Sequence, residues 1–262
     1  MAELKAVLFD MGDTILDLGE GRGSYEARVR LRAGRVYEAL VASGAAPGAA
    51  SGAAPGAALD DKEAFCEALA VDSEAQYQAA LAEQRGIDIF TVMRQFLRKQ
   101  GLPAEDGHVV AAGEAYCRTE AELVTPLRKG ALETLAALKA RGLTLAAVSN
   151  TIQPGRLLSH NTQRWGLSEF FDVRVYSSDV GVAKPHPEIF RVALERLGAP
   201  PESAVYVGDR LIPDVAGPHA VGMKAVLIEV GHRVENHPDI VPDARVKELP
   251  ELLRVLPILF RG

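Results

Sequence analysis

Two carboxylates three positions apart follow the first apolar segment of the chain. Leu4–Phe9, interrupted only by Lys5, runs directly into Asp10, and Asp13 and Thr14 complete the stretch FDMGDT. A carboxylate at the end of a buried segment can act as a nucleophile or bind a hard metal cation. Either chemistry needs further polar groups, so the elements that bring those groups together decide the interpretation.

Four later apolar runs have the length and composition of buried strands: Leu143–Val148, Phe171–Tyr176, Ala204–Val207 and Ala225–Val230. The stretches around them have helical spacing of apolar residues: Gly130–Arg141, Pro154–Trp165, Pro187–Leu197 and Asp214–Val221. This alternation predicts βαβ units and therefore an α/β fold with a doubly wound, Rossmann-like parallel sheet. In such a sheet the ligand site lies beyond the carboxyl ends of the strands.

The residues after these strands carry polar or charged side chains that could form one binding site. Ser149 and Asn150 follow the second strand, Lys184 follows the third, and Asp209 and Asp214 follow the fourth. Each residue alone could be a turn or helix-capping residue. Carboxylates, hydroxyls and one ammonium at a single sheet edge nevertheless indicate a shared polar site.

Four stretches resemble, in order, the motifs of the haloacid dehalogenase-like hydrolase superfamily: LFDMGDT, VSN, VAKPHPEIF and VGDRLIPDVAGPHAVGM. Most members of that superfamily are magnesium-dependent phosphatases. The resemblance covers residues 4–16 and 127–256. It implies an α/β hydrolase core formed by residues 1–19 and 126–262, with a helical cap domain inserted at residues 20–125.

The resemblance implies that the chain hydrolyses phosphate monoesters of small metabolites through an aspartyl-phosphate intermediate. Asp10 would be the nucleophile, and Lys184 would neutralise the phosphoryl oxygens and keep the nucleophile ionised. The implied Mg²⁺ ligands are Asp10, the Gly12 backbone carbonyl, Asp209 and, as a further ligand or a partner of the ligands, Asp214. The implied phosphate-binding residues are Thr14, Ser149, Asn150 and Lys184.

Gly12 is the departure from the family pattern. The usual phosphatase carries an aspartate two residues after the nucleophile, where it protonates the leaving oxygen and contributes about 10²–10⁴-fold in rate. Asp13 or water would have to replace that group here. Three alternatives therefore stay open: a phosphonate hydrolase using a cap lysine, Lys62 or Lys99; a dehalogenase; or a catalytically weak member that binds a phosphorylated ligand. We favour the phosphatase because some family phosphatases also carry Asp-x-Gly.

Residues 20–125 contain helical patterns without an obvious strand, which predicts the helical insertion. A duplicated GAAPGAA segment at residues 44–59 is rich in glycine, alanine and proline and predicts a flexible loop. Arg28, Arg32 and Arg35 lie on one face of a predicted helix. That face could bind a second anionic group of a substrate, or it could be a solvated face on which the aliphatic parts of the arginine side chains cover apolar surface.

Composition narrows the possible partners. The formal net charge of -6 and the pI of about 5.6 argue against nucleic-acid binding, which needs a basic face. Cys66 and Cys117 both fall in helical patterns, so neither a disulfide framework nor a cysteine metal cluster is expected. The chain shows neither a signal-peptide core nor a membrane span, and we expect a soluble protein in the reducing cytoplasm that acts on small metabolites.

Overall fold

The computed structural model describes residues 3–19, 25–45, 61–118, 125–231 and 235–260. In these residues six parallel strands form one sheet in the order β3-β2-β1-β4-β5-β6. The strands are β1 (Ala6–Phe9), β2 (Thr144–Ser149), β3 (Val173–Tyr176), β4 (Ala204–Gly208), β5 (Lys224–Ile228) and β6 (Ala244–Val246). The parallel α/β core predicted from the sequence is confirmed.

The sheet register explains why distant motifs meet. Phe9, the last residue of β1, pairs with Ala147 of β2 and with Val207 of β4. The three central strands therefore end at nearly the same level. Because β2 and β4 lie on opposite sides of β1, this edge is the topological switch point at which α/β sheets bind ligands.

Helices cover both faces of the sheet, as a doubly wound fold requires. Val7 and Phe9 of β1 belong to one apolar cluster, whereas Ala6 and Leu8 belong to another on the opposite face. The core helices are α5 (Ala131–Ala140), α6 (Gly155–Arg164), α7 (Ser177–Val180), α8 (Pro187–Leu197), α9 (Gly217–His219) and α10 (Leu252–Leu259). The fully buried strand β1 is consequently held from both sides.

Four helices lie between β1 and α5 in the chain: α1 (Tyr25–Ala42), α2 (Lys62–Ala82), α3 (Ile89–Lys99) and α4 (Asp106–Arg118). They share an apolar cluster of their own, in which the rings of Phe65 and Phe96 meet edge to face at 5.4 Å. Asp61 and Asp88 cap the first turns of α2 and α3. We call α1–α4 the helical insertion. The domain boundaries at residues 19 and 126 stay a prediction, and residues 46–60 of the predicted loop lie outside the described residues.

Main-chain bonds tie the helical insertion to the core just before Lys184. The Gly86 amide donates to the Gly181 carbonyl at 2.9 Å, and the Ala183 amide donates to the Gln84 carbonyl at 2.9 Å. A Cβ atom on Gly86 would lie 1.8 Å from the Ser177 carbonyl oxygen, so this close approach requires glycine. The position of the insertion is thereby coupled to the segment that carries Lys184.

Two local predictions differ from the structure. The segment predicted as a helix at Asp214–Val221 is a π-helical turn, Ile212–Ala216, followed by the short α9. Strand β6 was not predicted because its three residues are too few to show a period. Within the described ranges, none of the helices has the length and apolar character needed to cross a membrane.

Candidate active site

Lys184 lies at the centre of a buried polar network. Its Nζ atom donates hydrogen bonds of 2.7 Å to each of three groups: Oδ1 of Asp10, Oδ1 of Asp214 and the hydroxyl oxygen of Tyr206. These residues come from four different places in the sequence, and the sheet register brings them to one edge. All three donor sites of the ammonium are used, so its position is fixed.

The charged groups in this network change one another's pKa values. Burial alone would lower the pKa of Lys184, but the carboxylates of Asp10 and Asp214 raise that pKa well above its usual value. Burial raises the pKa of Asp10, and the nearby charge of Asp214 adds to the rise while Lys184 opposes it. Lys184 is therefore a charged ammonium, and its charge opposes the rise that burial causes in the pKa of Asp10.

Sequence reasoning missed Tyr206. Its hydroxyl accepts the hydrogen bond from Lys184 and donates one of 2.7 Å to the Val148 carbonyl oxygen. Tyr206 lies in the apolar strand β4, and its ring packs on Phe190 at 5.3 Å. The available signal was that a phenol in a fully buried strand must find a hydrogen-bond partner.

Asp214 orders the loop after β4. Its Oδ2 atom accepts hydrogen bonds from the amides of Asp209 and Arg210, at 3.2 and 3.0 Å. A Cβ atom on Gly208 would lie 2.4 Å from the Asp214 side chain, so the turn can close only on glycine. Because its Oδ1 atom also accepts a hydrogen bond from Lys184, Asp214 positions both the Lys184 ammonium and the backbone that carries Asp209.

Three carboxylates form a candidate metal centre. One oxygen from each of Asp10, Asp209 and Asp214 lies within 4.8 Å of the other two. These hard oxygen donors suit Mg²⁺, which binds through a few carboxylates and keeps several water ligands. Three carboxylates and the Lys184 ammonium leave an excess of two negative charges, which a divalent cation would balance. The donor set therefore fits the predicted metal, and the Gly12 carbonyl as a ligand stays a prediction.

The first loop is organised differently. Asp13 has a φ of 55°, and its Oδ1 atom accepts a hydrogen bond of 3.0 Å from the Leu18 amide. Its carbonyl oxygen accepts a bond of 2.9 Å from Arg128. Thr14 is fully buried beneath this loop. The bond from the Leu18 amide to the Asp13 carboxylate is one that a turn residue makes, and the acid/base role of Asp13 stays a prediction.

Asn150 holds the segment that carries Lys184 in place. Its side-chain amide donates to the Lys184 carbonyl at 2.9 Å and accepts from the Lys184 amide at 2.8 Å. The predicted phosphate contact at this position would therefore fall to the Asn150 backbone amide. Ser149, the last residue of β2, lies at the same edge, and its phosphate contact stays a prediction.

The lysines of the helical insertion bind carboxylates elsewhere. Lys62 pairs with Glu38 at 3.1 Å, and Lys99 pairs with Asp72 at 2.5 Å. Neither lysine lines the cavity beside the predicted site. Neither of the two lysines predicted for the Schiff-base chemistry of a phosphonate hydrolase is therefore placed at this cavity.

A cavity of about 300 Å³ lies between the helical insertion and the core. Arg28, Arg32 and Tyr77 line it from the insertion, and Asn150 and Thr151 line it from the core. Burial raises the pKa of Tyr77 well above its usual value, and the negative charge of Asp10 adds to the rise. Tyr77 therefore lies within electrostatic range of Asp10, a relation that no sequence pattern indicated.

Comparisons with known proteins agree with this geometry. A family model for haloacid dehalogenase-like hydrolases matches residues 4–222. The glyceraldehyde 3-phosphate phosphatase of Methanopyrus kandleri is 38% identical over 166 residues, which cover 61% of this chain and 69% of that protein. The phosphoserine phosphatase of Thermus thermophilus is 35% identical over 173 residues, 66% of this chain and 67% of that protein.

The crystal structure of a 2-haloacid dehalogenase from Pseudomonas syringae pv. Tomato superposes with a TM-score of 0.68 at 22% identity, covering 97% of this chain and 99% of that one. At this identity the likeness shows the shared fold and does not separate dehalogenase from phosphatase chemistry. The family match, in contrast, covers most of the sequence. The chain therefore belongs to the haloacid dehalogenase-like hydrolase family, and it is an enzyme of that family.

Proposed function

We propose that the chain is a magnesium-dependent phosphatase that hydrolyses phosphate monoesters of small metabolites, with Asp10 as the covalent nucleophile. The observation that carries the proposal is the network in which Lys184 bonds Asp10 and Asp214 at 2.7 Å beside Asp209. A nucleophilic carboxylate, a fixed cation and a cation-binding acid set are the parts that phosphoryl transfer needs. The two named phosphatases among the relatives support the same reaction.

In the proposed first step a carboxylate oxygen of Asp10 attacks phosphorus, and the bond from phosphorus to the leaving oxygen breaks. Lys184 orients Asp10, keeps it ionised and offsets negative charge on the phosphoryl group. Mg²⁺ when bound supplies the remaining positive charge at this site. Water then attacks the phosphorus of the aspartyl phosphate, which releases phosphate and restores the Asp10 carboxylate.

The leaving oxygen receives its proton from solvent in this proposal. Gly12 has no side chain, and the Asp13 carboxylate is bonded to the Leu18 amide of its own loop. Without a positioned acid the first step depends strongly on the basicity of the leaving group. Gly12 is also the observation that favours a second candidate, a member of the family that binds phosphorylated ligands with little turnover.

One experiment separates the two candidates. We expect a panel of phosphate monoesters, with aryl phosphates among them, to be hydrolysed only when Mg²⁺ is present and to stop reacting on addition of EDTA. Asp10→Asn should lower kcat/KM by about 10³-fold or more because the nucleophile is lost. Asp17→Asn is the matched control, since Asp17 is an exposed carboxylate near the same loop, and it should stay within about twofold.

Each contrary result has a distinct meaning. Activity of purified Asp10→Asn equal to that of the wild type would exclude the covalent mechanism. Hydrolysis that persists in EDTA would exclude the metal requirement. No turnover across the whole panel would overturn the catalytic proposal and favour the ligand-binding candidate.

A further inference from the structure

The turn between α2 and α3, residues 83–88, joins the helical insertion to the core beside Lys184. We propose that this turn is an anchor, which stays bound to the core throughout the catalytic cycle and positions Lys184 for the chemical step. The proposal rests on the phosphatase function proposed above. It gives the insertion a part in catalysis that needs no contact with the substrate.

One end of the anchor turn binds the core segment that leads into Lys184. Arg85 of the turn and Val182 of the core are directly opposed in an antiparallel bridge. The two main-chain hydrogen bonds described above flank this pair, and each is 2.9 Å long. The turn therefore runs antiparallel to residues 181–183, the last of which is joined by its peptide bond to Lys184.

The other end of the anchor turn binds the loop after β2. The amide of Ile89, the first residue of α3, donates to the Ile152 carbonyl at 2.7 Å. Ile152 lies two residues after Asn150, whose side chain bonds the main chain of Lys184 at 2.8 and 2.9 Å. The insertion thus holds both core loops that determine where the main chain of Lys184 lies.

The two core loops are also bonded to each other beneath the turn. The buried Ser177 hydroxyl accepts a bond of 2.9 Å from the Thr151 amide and donates one of 3.1 Å to the Thr151 carbonyl. Gly86 lies directly against the Ser177 carbonyl oxygen, where a Cβ atom would be only 1.8 Å away. The anchor turn and the loops after β2 and β3 consequently form one hydrogen-bonded unit.

The backbone of the anchor turn is specialised for this contact. Gln84 has a φ of 53°, a left-handed conformation that is unfavourable for a residue with a Cβ atom and persists where the surrounding structure holds it. Its carbonyl accepts the bond from the Ala183 amide. The strained residue is thus one of those that make the contact with the core.

The anchor also restricts how the insertion can move. The chain passes between the core and the insertion beside β1, where the Asp17 amide donates to the Pro126 carbonyl at 2.8 Å. The anchor turn binds the segment after β3, and β2 separates β3 from β1 in the sheet. A rigid insertion held at two such places can only rotate about the line that joins them, so the turn stays in contact while substrate enters.

Positioning of Lys184 matters because all three of its donor bonds are 2.7 Å long. A main-chain shift of about 1 Å would lengthen such bonds past the usual limit of about 3.2 Å unless the side chain rearranged. A misplacement of that size at a reacting group can cost about 10²-fold in rate.

A reversible cross-link tests whether the turn stays bound. Arg85 and Val182 form a non-hydrogen-bonded antiparallel pair, in which Cα atoms lie about 4.5 Å apart, and a disulfide spans about 4.4–6.8 Å. Arg85→Cys with Val182→Cys should therefore form a disulfide on oxidation. We expect the oxidised protein to hydrolyse phenyl phosphate with kcat within about twofold of its reduced form.

Two results of the cross-link would overturn the anchor. The first is loss of turnover on oxidation that dithiothreitol restores, because the turn would then have to leave the core in every cycle. The second is a folded double variant in which the two thiols do not join. The single variants Arg85→Cys and Val182→Cys control for the substitutions and for oxidation of the native Cys66, which is half-buried.

Gly86→Ala tests the positioning of Lys184. The added Cβ atom would collide with the Ser177 carbonyl oxygen and force the turn and the core segment apart. We expect kcat to fall by about 10-fold to 100-fold for phenyl phosphate and for the larger naphthyl phosphate alike, with KM within about threefold, since the defect lies in the chemical step. A rise in KM with unchanged kcat, or no change in either, would contradict the positioning role.

Two variants within the insertion are the controls. Gly107→Ala adds a Cβ atom that meets nothing within 4 Å, so both constants should be unchanged. Val109→Ala removes buried atoms from the apolar cluster of the insertion and should lower the unfolding temperature without lowering kcat. An equal fall of kcat in Val109→Ala and Gly86→Ala would show a general structural effect and overturn the positioning role.

A second pair of variants tests the same role if Gly86→Ala does not fold. Ile89→Pro removes the amide that bonds Ile152, and proline is tolerated at the first position of a helix. Ile89→Ala loses the same buried side chain but keeps the amide. We expect kcat of Ile89→Pro to be about threefold to tenfold below that of Ile89→Ala. Equal kcat values would contradict the positioning role.

Failure of the phosphatase proposal has a different signature, because the wild type would then also lack Mg²⁺-dependent hydrolysis of aryl phosphates. In that case hydrogen exchange of the Gly86 and Ala183 amides tests the anchor, with Mg²⁺ and inorganic phosphate either present or absent. We expect both amides to exchange slowly in both conditions, because their bonds to the core persist. Exchange as fast as that of exposed amides in either condition would overturn the anchor.

Discussion

The two sides of the active site differ in how many charged side chains they place and hydrogen-bond. On one side, Asp10, Lys184, Asp214 and Tyr206 are joined by hydrogen bonds of 2.7 Å in a buried network. On the other side, Gly12 offers no side chain, and the Asp13 carboxylate is bonded to the Leu18 amide of its own loop. We call these the nucleophile side and the loop side. In the proposed mechanism the nucleophile side stabilises charge together with Mg²⁺, and the loop side supplies no positioned acid, so the leaving oxygen takes its proton from solvent.

The backbone of the loop side does not demand this arrangement. Gly12 is outside the left-handed region, whereas Asp13 has a φ of 55°, where glycine is favoured. A Cβ atom at Gly12 would lie 3.0 Å from the end of the Leu18 side chain, which is 37% exposed and can move aside. The backbone at position 12 can therefore carry a side chain, and a single substitution can introduce one.

The largest expected effect comes from breaking the nucleophile side at Lys184. Lys184→Met would leave Asp10 and Asp214 buried without their shared cation. We expect kcat/KM for aryl phosphates to fall by about 10³-fold and the free energy of unfolding to fall by about 3–5 kcal/mol. Aryl phosphate assays and urea denaturation measure the two losses.

The control for this prediction is Lys224→Met. Lys224 lies 3.8 Å from Asp243 and its side chain is one-third exposed, so that pair should contribute at most about 1 kcal/mol. Near-normal activity of folded Lys184→Met would contradict the central role of the network.

The next effect comes from supplying the loop side with an acid. The wild type should show a steep fall of kcat/KM as the leaving-group pKa rises along a series of aryl phosphates. Gly12→Asp should flatten this dependence and raise the rate for the poorest leaving groups by about 10²-fold, since a positioned acid contributes that much or more. Gly12→Ala and Gly12→Asn control for steric and polar effects without a transferable proton.

A flat dependence in the wild type, with chemistry shown to limit the rate, would mean that another group already protonates the leaving oxygen. In that case the contrast between the two sides would be wrong, and the search for the acid would move to the cavity wall that carries Tyr77.

A smaller effect should follow from removing the Tyr206 hydroxyl from the network. Tyr206→Phe removes the acceptor for Lys184 and the donor to the Val148 carbonyl, but it keeps the ring packed on Phe190. We expect a loss of about 1–2 kcal/mol in unfolding free energy and a fall in kcat of less than about tenfold, because two carboxylates still hold Lys184. A loss as large as that of Lys184→Met would show that the phenol is an equal partner.

The smallest effect should lie far from both sides, at Asp172. This carboxylate bonds Lys139 at 2.8 Å and accepts the Leu145 amide at the start of β2. Burial alone would raise the pKa of Asp172, but these partners lower it below its usual value. The stabilisation is present above the unfolded-state pKa of about 3.9 and is lost as pH falls through the lower folded-state value.

Asp172→Asn should therefore cost about 0.5–1 kcal/mol near pH 7, a modest value because the group is partly exposed. The difference from the wild type should vanish in acid, as urea denaturation at several pH values would show, and activity should be unchanged. A difference that is constant from pH 7 to pH 2 would contradict the ionic origin.

The sequence predicted that Asp10, Lys184, Asp209 and Asp214 meet at one sheet edge because they follow strands, and their roles there stay predictions. Asp10, Asp209 and Lys184 could be assigned to one edge since parallel strands with matched ends place their next residues together. Tyr206 and Tyr77 could not be assigned. Their roles depend on which side chains meet across the sheet and across the insertion, and neither strand nor helix periodicity encodes those contacts.

The loop side shows the same limit in another form. A turn residue and a general acid can both be an aspartate shortly after Asp10. The φ of 55° and the bond from the Leu18 amide are features of a turn residue, and the sequence encodes neither of them. The arginines of α1 were equally ambiguous, because a helical face at the cavity and one in solvent have the same spacing. The placement of α1 against the core separates Arg28 and Arg32 from Arg35.

The most direct measurement is to trap the phosphorylated nucleophile. The enzyme is mixed with Mg²⁺ and an aryl phosphate, quenched in acid within the first turnover, and digested with trypsin. We expect one phosphoryl group, labile to hydroxylamine, on the peptide of residues 6–22, assigned to Asp10 by fragmentation and absent from Asp10→Asn. Steady turnover without that adduct, or a phosphoryl group on any other residue, would contradict Asp10 as the covalent nucleophile.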